Sequence, residues 1–266
     1  MIKLVLIDVD GTLYGPDGVH PRVWESADRA RARGLHLAIC TGRSGAGVAL
    51  DYARRLDPDG LHIFDGGAVI LGGDGVVHHS ARLDAAAYAE LLAIARASDF
   101  DVETYTAEGG YFIERETPDL VAHQEVLGRR ATVMPLDRVP GTVARLQFVV
   151  QETPAWQATR PRVRGLPGLE MHEATSPTLG HIVFASVTPH GASKLSAAGW
   201  IARRFGLDGL ARVAMVGDGE NDLELIRAAG LGIAMGNAPA HVQAAADRIV
   251  GRVEHAGLAD ALDALG

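Results

Sequence analysis

The sequence contains a single cysteine, Cys40, among its 266 residues. One thiol can form neither an internal disulfide nor a thiolate zinc site, so disulfide-stabilised and zinc-finger classes of protein are excluded. Cys40 ends the apolar run LHLAIC. Because a free cysteine in such a run usually behaves as a small buried hydrophobe, we interpret Cys40 as a strand residue and not as a nucleophile.

Long apolar runs are also missing. No stretch approaches the roughly 20 residues that cross a bilayer, and the amino terminus, MIKLVLIDVD, lacks the layout of a secretory signal. The net charge of -8 argues against broad electrostatic attachment to nucleic acid or to an anionic membrane surface. We therefore expect a cytoplasmic protein, monomeric or homodimeric, that binds neither nucleic acid nor membrane.

Strand patterns and helix patterns alternate near the start of the chain. Residues 3–9, 35–40 and 61–64 are short, nearly continuous apolar runs, which is typical of strands buried in a parallel sheet. Helical patterns over residues 21–34 and 44–56 separate them. This alternation predicts an α/β fold with a doubly wound parallel sheet.

A segment of different texture interrupts the alternation. One helical pattern is followed by the hairpin-like segments VETYT and YFIE and by an alternating strand over residues 144–150. The strand and helix rhythm then resumes with a helix from Lys194 and the apolar strand VAMVG. We therefore predict a Rossmann-type core formed by residues 1–82 and 183–266, with an inserted α+β cap domain over residues 83–182.

Two carboxylates lie at the end of the first predicted strand. Asp8 and Asp10 are two residues apart, so both side chains point to the same side, at the edge where doubly wound sheets bind ligands. Close carboxylates repel each other, and a shared hard divalent cation such as Mg²⁺ offsets that cost. Gly11 and Thr12 follow in a turn whose backbone amides can face an anion.

A second motif, Thr41-Gly42-Arg43, directly follows the second predicted strand. A hydroxyl, a permissive glycine and the positive end of a helix that starts near Ser44 together predict a phosphate cradle. Arg43 has two possible roles, a contact with substrate or phosphate and a structural salt bridge, and both stay open at this point.

Two further motifs follow the insertion. Lys194 alone resembles an ordinary surface lysine, but in this series it can neutralise a phosphoryl oxygen as negative charge develops. The segment GDGEND, which contains Asp218, Asn221 and Asp222, lies between an apolar strand and a helix and offers more oxygen ligands for a metal. A calcium loop is a poor alternative, because the rest of an EF-hand is missing.

The motifs DVDGTL, TGR, a lysine and GDGEND stand in this order, each at a predicted strand end or helix start. In this respect the chain resembles the haloacid dehalogenase (HAD) superfamily of aspartate-nucleophile phosphotransferases. The large insertion between the second and third motifs is similar to the cap of its Cof-type branch of sugar- and cofactor-phosphate phosphatases. The later segment MGNAP is typical of the same branch. The resemblance covers nearly the whole chain and is stronger in the core than in the cap.

The resemblance implies a role for each acidic residue of the core motifs. Asp8 would attack phosphorus and become the aspartyl phosphate, while Asp10 would protonate the leaving oxygen and later activate water. Mg²⁺ would be held by Asp8, by the backbone carbonyl of Asp10 and by Asp218, with Asp222 as a direct ligand or one layer further out.

The resemblance also implies a phosphate site and a substrate class. Thr41, Gly42, Lys194 and Asn221 would hold the transferring phosphate, with Arg43 as a further candidate contact. The implied enzyme is a magnesium-dependent phosphatase, a phosphoric monoester hydrolase, that acts on a small phosphorylated metabolite such as a sugar phosphate or a cofactor phosphate. Its cap would set the specificity.

Two alternatives stay open. A phosphotransferase or phosphomutase on the same core would pass the phosphoryl group to a second acceptor, and a non-catalytic protein would only bind the phosphorylated metabolite. Loss of a catalytic acid or of the lysine would be typical of the binding protein, but Asp8, Asp10, Lys194 and Asp218 are all present. One departure is the segment 66–68, Gly-Gly-Ala where the family usually has Asn-Gly-Ala, so substrate contacts of that loop do not transfer directly.

Overall fold

The computed structural model describes residues 1–175 and 179–265 of the chain. The chain divides into two compact units, which we call the core unit (Met1–His78 with Ser193–Gly266) and the insert (His79–Ala192). Within the described residues, no helix is both long enough and apolar enough to cross a membrane.

The first segment of the core unit alternates strands with helices and ends in an antiparallel sheet. Its elements are β1 (Leu4–Ile7), α1 (Pro21–Ala32), β2 (His36–Ile39), α2 (Val48–Leu56), β3 (Leu61–Phe64), β4 (Val69–Gly72) and β5 (Val77–Ser80). α1 begins at Pro21, because proline suits the first helical position, and the chain leaves it at Gly34, which has φ +82°. β3 pairs antiparallel with β4 in a three-stranded sheet completed by β5, whose last two residues already belong to the insert.

The insert is an α+β unit around one large sheet. Its elements are α3 (Ala85–Ala97), β6 (Asp101–Thr106), β7 (Tyr111–Ile113), α4 (Pro118–Leu127), β8 (Thr132–Val133), β9 (Val143–Gln151), α5 (Pro154–Arg164), β10 (Leu169–Thr175) and β11 (Ile182–Pro189). The strands form a six-stranded sheet in the order β10-β11-β9-β6-β7-β8. β6 and β7 pair antiparallel and form the predicted hairpin. Trp156 is fully buried in the hydrophobic cluster of this unit.

The observed end of the insert corrects the predicted boundary. The sequence places that end at residue 182, whereas β11 continues to Pro189 and pairs with β9 and β10 inside the sheet of the insert. The prediction fails there because an apolar strand pattern does not reveal which sheet the strand joins. The predicted range 83–182 also includes residues 176–178, which lie outside the described residues.

The second segment of the core unit completes a parallel sheet. Its elements are α6 (Lys194–Arg204), β12 (Val213–Gly217), α7 (Leu223–Ala228), β13 (Leu231–Ala234), α8 (Ala240–Gln243), β14 (Arg248–Ile249) and α9 (Gly257–Asp263). The five strands follow the order β14-β13-β12-β1-β2, with every neighbouring pair parallel. This sheet confirms the predicted α/β fold. Since β1 lies between β2 and β12, a topological switch point forms at its carboxyl end.

The segment after β2 departs from the prediction. The helix expected from Ser44 begins at Val48, because Gly47 has φ +58° and ψ -141°, a conformation outside the helical range. The residues between β2 and Val48 form a loop, so the positive end of α2 does not directly follow Thr41. The predicted phosphate cradle therefore lacks its helix terminus.

β3 meets β2 through a single parallel bridge between Cys40 and Ile63. The side chain of His62 supplies further links, because its Nδ1 accepts the N–H of Ile39 at 3.2 Å and its Nε2 donates to the carbonyl of Asp57 at 2.9 Å. Burial lowers the pKa of His62 to about 4. The imidazole is therefore neutral at pH 7, as an acceptor at Nδ1 requires.

Candidate active site

The predicted site residues lie where three neighbouring parallel strands end. Asp8 follows β1, Asp218 follows β12, and Thr41 follows β2 after Cys40. The backbone N–H of Asp8 donates to the carbonyl of Val216 at 3.0 Å, which extends the pairing of β1 and β12. Because these strands are neighbours, the residues that follow them meet at one edge of the sheet.

Three carboxylates surround one buried ammonium at this edge. Asp8, Asp218 and Asp222 each place one carboxylate oxygen within 4.8 Å of the others. Lys194 Nζ donates to Asp8 Oδ1 at 2.7 Å and to Asp222 Oδ1 at 2.6 Å, and the lysine side chain is 4% exposed. The acidic cluster therefore carries more negative charge than its single cation balances, which is costly in a buried place.

Burial and the shortage of positive charge together shift the pKa values of the acidic cluster. Burial, followed by repulsion from Asp222, raises the pKa of the Asp8 carboxyl, and Lys194 opposes that rise. The same two causes raise the pKa of Asp218 to about 6. Burial by itself would lower the pKa of Lys194, but Asp222 and Asp8 outweigh it and raise that pKa. A further cation among the carboxylates would lower the pKa of Asp8 and Asp218.

Asp218 is held by two residues that approach it closely. Thr12 Oγ1 donates to Asp218 Oδ1 at 3.1 Å, and Asn237 Nδ2 donates both to Asp218 Oδ2 at 3.0 Å and to the carbonyl of Gly11 at 2.9 Å. A Cβ on Gly11 would lie 2.1 Å from Asp218 Oδ2, so this contact requires glycine. The sequence motifs leave Asn237 without a role, although the segment MGNAP that contains it is the signal from which it could have been found.

Asp222 uses both of its carboxylate oxygens within the protein. Oδ1 accepts from Lys194, and Oδ2 accepts the backbone N–H groups of Asp218 at 3.1 Å and Gly219 at 3.0 Å. Asp222 therefore orients both the ammonium and the loop that carries Asp218. The acidic cluster offers only oxygen ligands and is short of positive charge, and this donor set fits Mg²⁺, with Asp8 and Asp218 as the residues that could hold it.

The start of α6 determines where Lys194 lies. Ser193 Oγ accepts the N–H of Ser196 at 3.1 Å and Ser196 Oγ accepts the N–H of Ser193 at 3.0 Å, which is a capping box. Gly67 packs against this turn, because a Cβ there would lie 2.2 Å from the carbonyl carbon of Ser193. Gly66 has φ +68° and ψ 15°, a left-handed conformation that both glycine and Asn can adopt.

The second motif places a hydroxyl, a guanidinium and a carboxylate together. Thr41 is 1% exposed, and its Oγ1 accepts the N–H of Arg43 at 3.1 Å, so its own hydroxyl hydrogen is left to donate. Arg43 donates from Nε to Asp10 Oδ2 at 2.9 Å and from Nη2 to Asp10 Oδ1 at 2.6 Å. Of the two roles considered for Arg43, the structure contains the salt bridge.

Two predicted phosphate-binding residues lie nearer the surface. Gly42 is half-buried, and Asn221 is exposed on the short turn Glu220–Asp222. The phosphate-binding roles of both residues remain predictions. Cys40, by contrast, is fully buried directly after β2, in the bridge to Ile63, and burial raises the pKa of its thiol, which confirms its interpretation as a small buried hydrophobe and not a nucleophile.

Known proteins match this chain over nearly its whole length. A family model for haloacid dehalogenase-like hydrolases matches residues 5–262. A Streptococcus pyogenes protein with a provisional phosphatase name is 26% identical over 98% of this chain and 97% of its own. The similarly named YxeH of Bacillus subtilis is 28% identical over 93% of this chain and 92% of its own.

Solved structures agree with these sequence matches. BT1666 of Bacteroides thetaiotaomicron, described among phosphatases of the HAD superfamily, has a TM-score of 0.81 and 29% identity and covers 98% of this chain and 94% of its own. The HAD subclass IIB sugar phosphatase BT4131 shares the fold at a TM-score of 0.79 and 22% identity, with 98% of this chain and 97% of its own covered. The chain thus belongs to the haloacid dehalogenase-like hydrolases, as its motifs predict, and is a phosphatase of that family.

Proposed function

We propose that this phosphatase depends on Mg²⁺ and removes phosphate from a small metabolite, such as a sugar phosphate or a cofactor phosphate, by way of a phosphorylated Asp8. The observation that carries the proposal is the acidic cluster of Asp8, Asp218 and Asp222 around the buried ammonium of Lys194. A site with this charge balance favours both an added cation and a group, such as a phosphoryl, that the ammonium can neutralise.

In the first step, a carboxylate oxygen of Asp8 attacks phosphorus and the bond from phosphorus to the leaving oxygen breaks. Asp10 donates its carboxyl proton to the leaving oxygen, so the product is an alcohol and Asp10 is left as a carboxylate. Lys194 donates to a phosphoryl oxygen as charge moves onto it, and the hydroxyl of Thr41 is placed to donate as well.

In the second step, water attacks the phosphorus of the aspartyl phosphate. The carboxylate of Asp10 takes a proton from that water, the bond from phosphorus to Asp8 breaks, and inorganic phosphate leaves. This step regenerates the carboxylate of Asp8 and the protonated Asp10. Covalent catalysis therefore divides one difficult displacement into two easier ones.

Asp8 and Asp218 would hold Mg²⁺, with the backbone carbonyl of Asp10 as a third ligand predicted from the family. When bound, the ion supplies positive charge that keeps Asp8 ionised and offsets the charge of the phosphate. Asp222 would act on this ligand set from outside, because its oxygens already bind Lys194 and the loop before α7.

The decisive experiment compares the wild type with Asp8→Asn. Phosphate release is measured from a panel of phosphorylated metabolites and a generic aryl phosphate, with and without Mg²⁺. We expect release that needs Mg²⁺ and falls by on the order of 10⁴-fold or more in Asp8→Asn, because the nucleophile is lost. Full turnover by the variant would contradict the mechanism.

The same experiment separates the alternatives predicted from the sequence. A phosphorylated acceptor in place of free phosphate would indicate a phosphotransferase or mutase, and tight metabolite binding without turnover would indicate a binding protein. The selection of substrate by the insert, a cytoplasmic location, a monomeric or dimeric state and a lack of nucleic-acid or membrane partners remain part of the proposal.

A further inference from the structure

Arg43 and Asp10 form a bidentate ion pair at the edge of the acidic cluster. Both oxygens of Asp10 accept from Arg43, one from Nε and one from Nη2, at 2.9 and 2.6 Å. The Asp10 side chain is 60% exposed and the Arg43 side chain 20% exposed. An exposed carboxylate without such a partner would sample several rotamers, so the planar fork of Arg43 holds Asp10 in one orientation.

The guanidinium is itself held in place. The N–H of Arg43 donates to Thr41 Oγ1 at 3.1 Å and its carbonyl accepts the N–H of Asp65 at 2.9 Å, so the backbone is anchored on both sides. The guanidinium carbon lies 5.5 Å from the ring centre of Tyr14, close enough for a cation–π contact. Arg43 therefore links the loop after β2 to the turn that carries Asp10.

The contacts of Arg43 favour a role through Asp10 over direct binding of substrate. The Nε and Nη2 edge is the one that binds a phosphate or carboxylate in two places, and Asp10 already occupies it. In the proposed mechanism the carboxylate of Asp10 is the base that takes a proton from water, and this pairing fixes where its two oxygens lie.

We propose that Arg43 is a positioning residue that holds the Asp10 carboxylate in the orientation needed to take a proton from the attacking water. The inference rests on the proposed function, because it assigns Arg43 to the hydrolysis of the aspartyl phosphate. Arg43 does not touch the reacting atoms. It acts through Asp10 alone.

The test uses para-nitrophenyl phosphate with Mg²⁺ and the full-length protein. Nitrophenolate needs no protonation to leave, so formation of the aspartyl phosphate stays fast without an oriented Asp10, while its hydrolysis does not. For Arg43→Ala we expect a burst of nitrophenolate equal to the number of active sites, followed by a steady state on the order of 10²-fold slower than in the wild type. A merely structural defect would reduce the burst itself.

Two companion variants separate a role through Asp10 from other roles. In an Asp10→Asn background, Arg43→Ala should slow the steady state by no more than about twofold, because the partner through which Arg43 acts is already gone. Arg43→Lys should recover part of the turnover, since an ammonium restores the charge but not the two-point contact.

Arg55→Ala is the matched control. Arg55 also makes a two-point pair with an aspartate, Asp28, at 2.7 Å for each bond, and lies 5.4 Å from the ring centre of Trp24. It has the same kind of contacts as Arg43 in the same unit but pairs with Asp28 and not with Asp10. We expect its kinetics to match those of the wild type.

Three results would overturn the inference. A higher KM with unchanged kcat and no burst would make Arg43 a substrate-binding residue. An equal loss in the wild-type and Asp10→Asn backgrounds would show that Arg43 acts independently of Asp10. A wild type that releases nothing from any substrate with Mg²⁺ would remove the proposed function itself, an outcome that is distinct from the other two.

Discussion

Each of the two units buries a carboxylate completely, and the surroundings of the two differ. In the insert, Glu103 is 0% exposed and accepts hydrogen bonds from Tyr105, Tyr111 and Gln147, and its Oε1 lies 2.8 Å from His123 Nδ1. Burial alone would raise the pKa of Glu103, but the bonds from His123 and the two tyrosines outweigh it and lower that pKa. One carboxylate there has four partners.

In the core unit, by contrast, three carboxylates lie around one ammonium. Asp8 and the fully buried Asp222 share the ammonium of Lys194, Asp218 lies beside them, and burial and repulsion from Asp222 raise the pKa of Asp8 and Asp218. A buried carboxylate with enough donors is a stable part of the structure, whereas a group of carboxylates with too little positive charge around it is stabilised when a further cation binds. The comparison teaches that burial of acidic residues does not identify a site, but an unbalanced charge does.

The largest expected effect comes from removing the single ammonium of the acidic cluster. Lys194→Met should lower the free energy of unfolding without Mg²⁺ by about 3–5 kcal/mol, because it leaves buried carboxylates without their partner. It should also lower kcat by on the order of 10²- to 10³-fold, since phosphoryl charge is no longer neutralised. Urea unfolding with and without Mg²⁺, together with phosphate release, measures both.

The sequence provides the control, because its only other lysine is Lys3. Lys3→Met makes the same chemical change at a partly exposed position and should alter neither quantity appreciably. Mg²⁺ should stabilise Lys194→Met more than it stabilises the wild type, since the variant has less positive charge beside the carboxylates. Equal stabilisation of Lys194→Met and of the wild type by Mg²⁺ would contradict the idea that the ammonium and the metal ion balance the charge of the same carboxylates.

A smaller effect is expected from the insert. Glu103→Gln removes the negative charge that the four partners stabilise. It also replaces one accepting carboxylate oxygen with an NH₂ group, which faces hydrogen-bond donors. The free energy of unfolding should fall by about 2 kcal/mol. The stabilisation by Mg²⁺ should stay at its wild-type value. A changed response to Mg²⁺ in this variant would break the distinction between the two buried carboxylates.

The smallest expected effect is a dependence of the Mg²⁺ stabilisation on pH, which only the carboxylates of the core unit should show. The pKa of Asp218 is raised to about 6, so the folded protein without Mg²⁺ binds more protons than the unfolded chain between about pH 4 and 6. The contribution of Asp218 to stability is therefore lost as pH rises through that window. Bound Mg²⁺ prevents the loss because it favours the ionised carboxylate.

The stabilisation by Mg²⁺ should accordingly grow between pH 5 and pH 7 by about 1 kcal/mol, because one group with a pKa of about 6 contributes at most about 1.4 kcal/mol over that window and Asp218 is partly exposed. Thermal unfolding at each pH, with and without Mg²⁺, measures this growth. Asp218→Asn should reduce it and leave only the part that comes from Asp8, whereas Glu103→Gln should leave it intact. A stabilisation that is constant with pH would exclude Asp218 as a titrating ligand.

Most strands and helices could be predicted from the sequence, because the spacing of apolar residues directly reflects which side chains are buried. Two boundaries could not. The start of α2 depends on the backbone of Gly47, which adopts a conformation outside the helical range in the loop between β2 and α2. The end of the insert depends on which sheet β11 joins, and it pairs with β9 and β10 over residues far apart in the sequence, which a local pattern does not reveal.

The site divides in a similar way. Asp8, Thr41, Lys194 and Asp218 could be found from the sequence because each follows a strand or begins a helix in a recognisable order. Asn237 could not be assigned, because an amide in a loop has no pattern of its own and its role appears only in its bond to Asp218.

By itself, then, the sequence determined the α/β fold, the inserted unit, the family and the residue types at the strand ends, since these depend on local periodicity and on short motifs. Only the tertiary structure decided which groups face each other. Lys194 reaches Asp8 across 186 residues of chain, and Arg43 reaches Asp10 across 33, because strand order and loop packing bring them together. Charge balance and the orientation of Asp10 follow from those distances, and distances in space are not encoded in any local pattern.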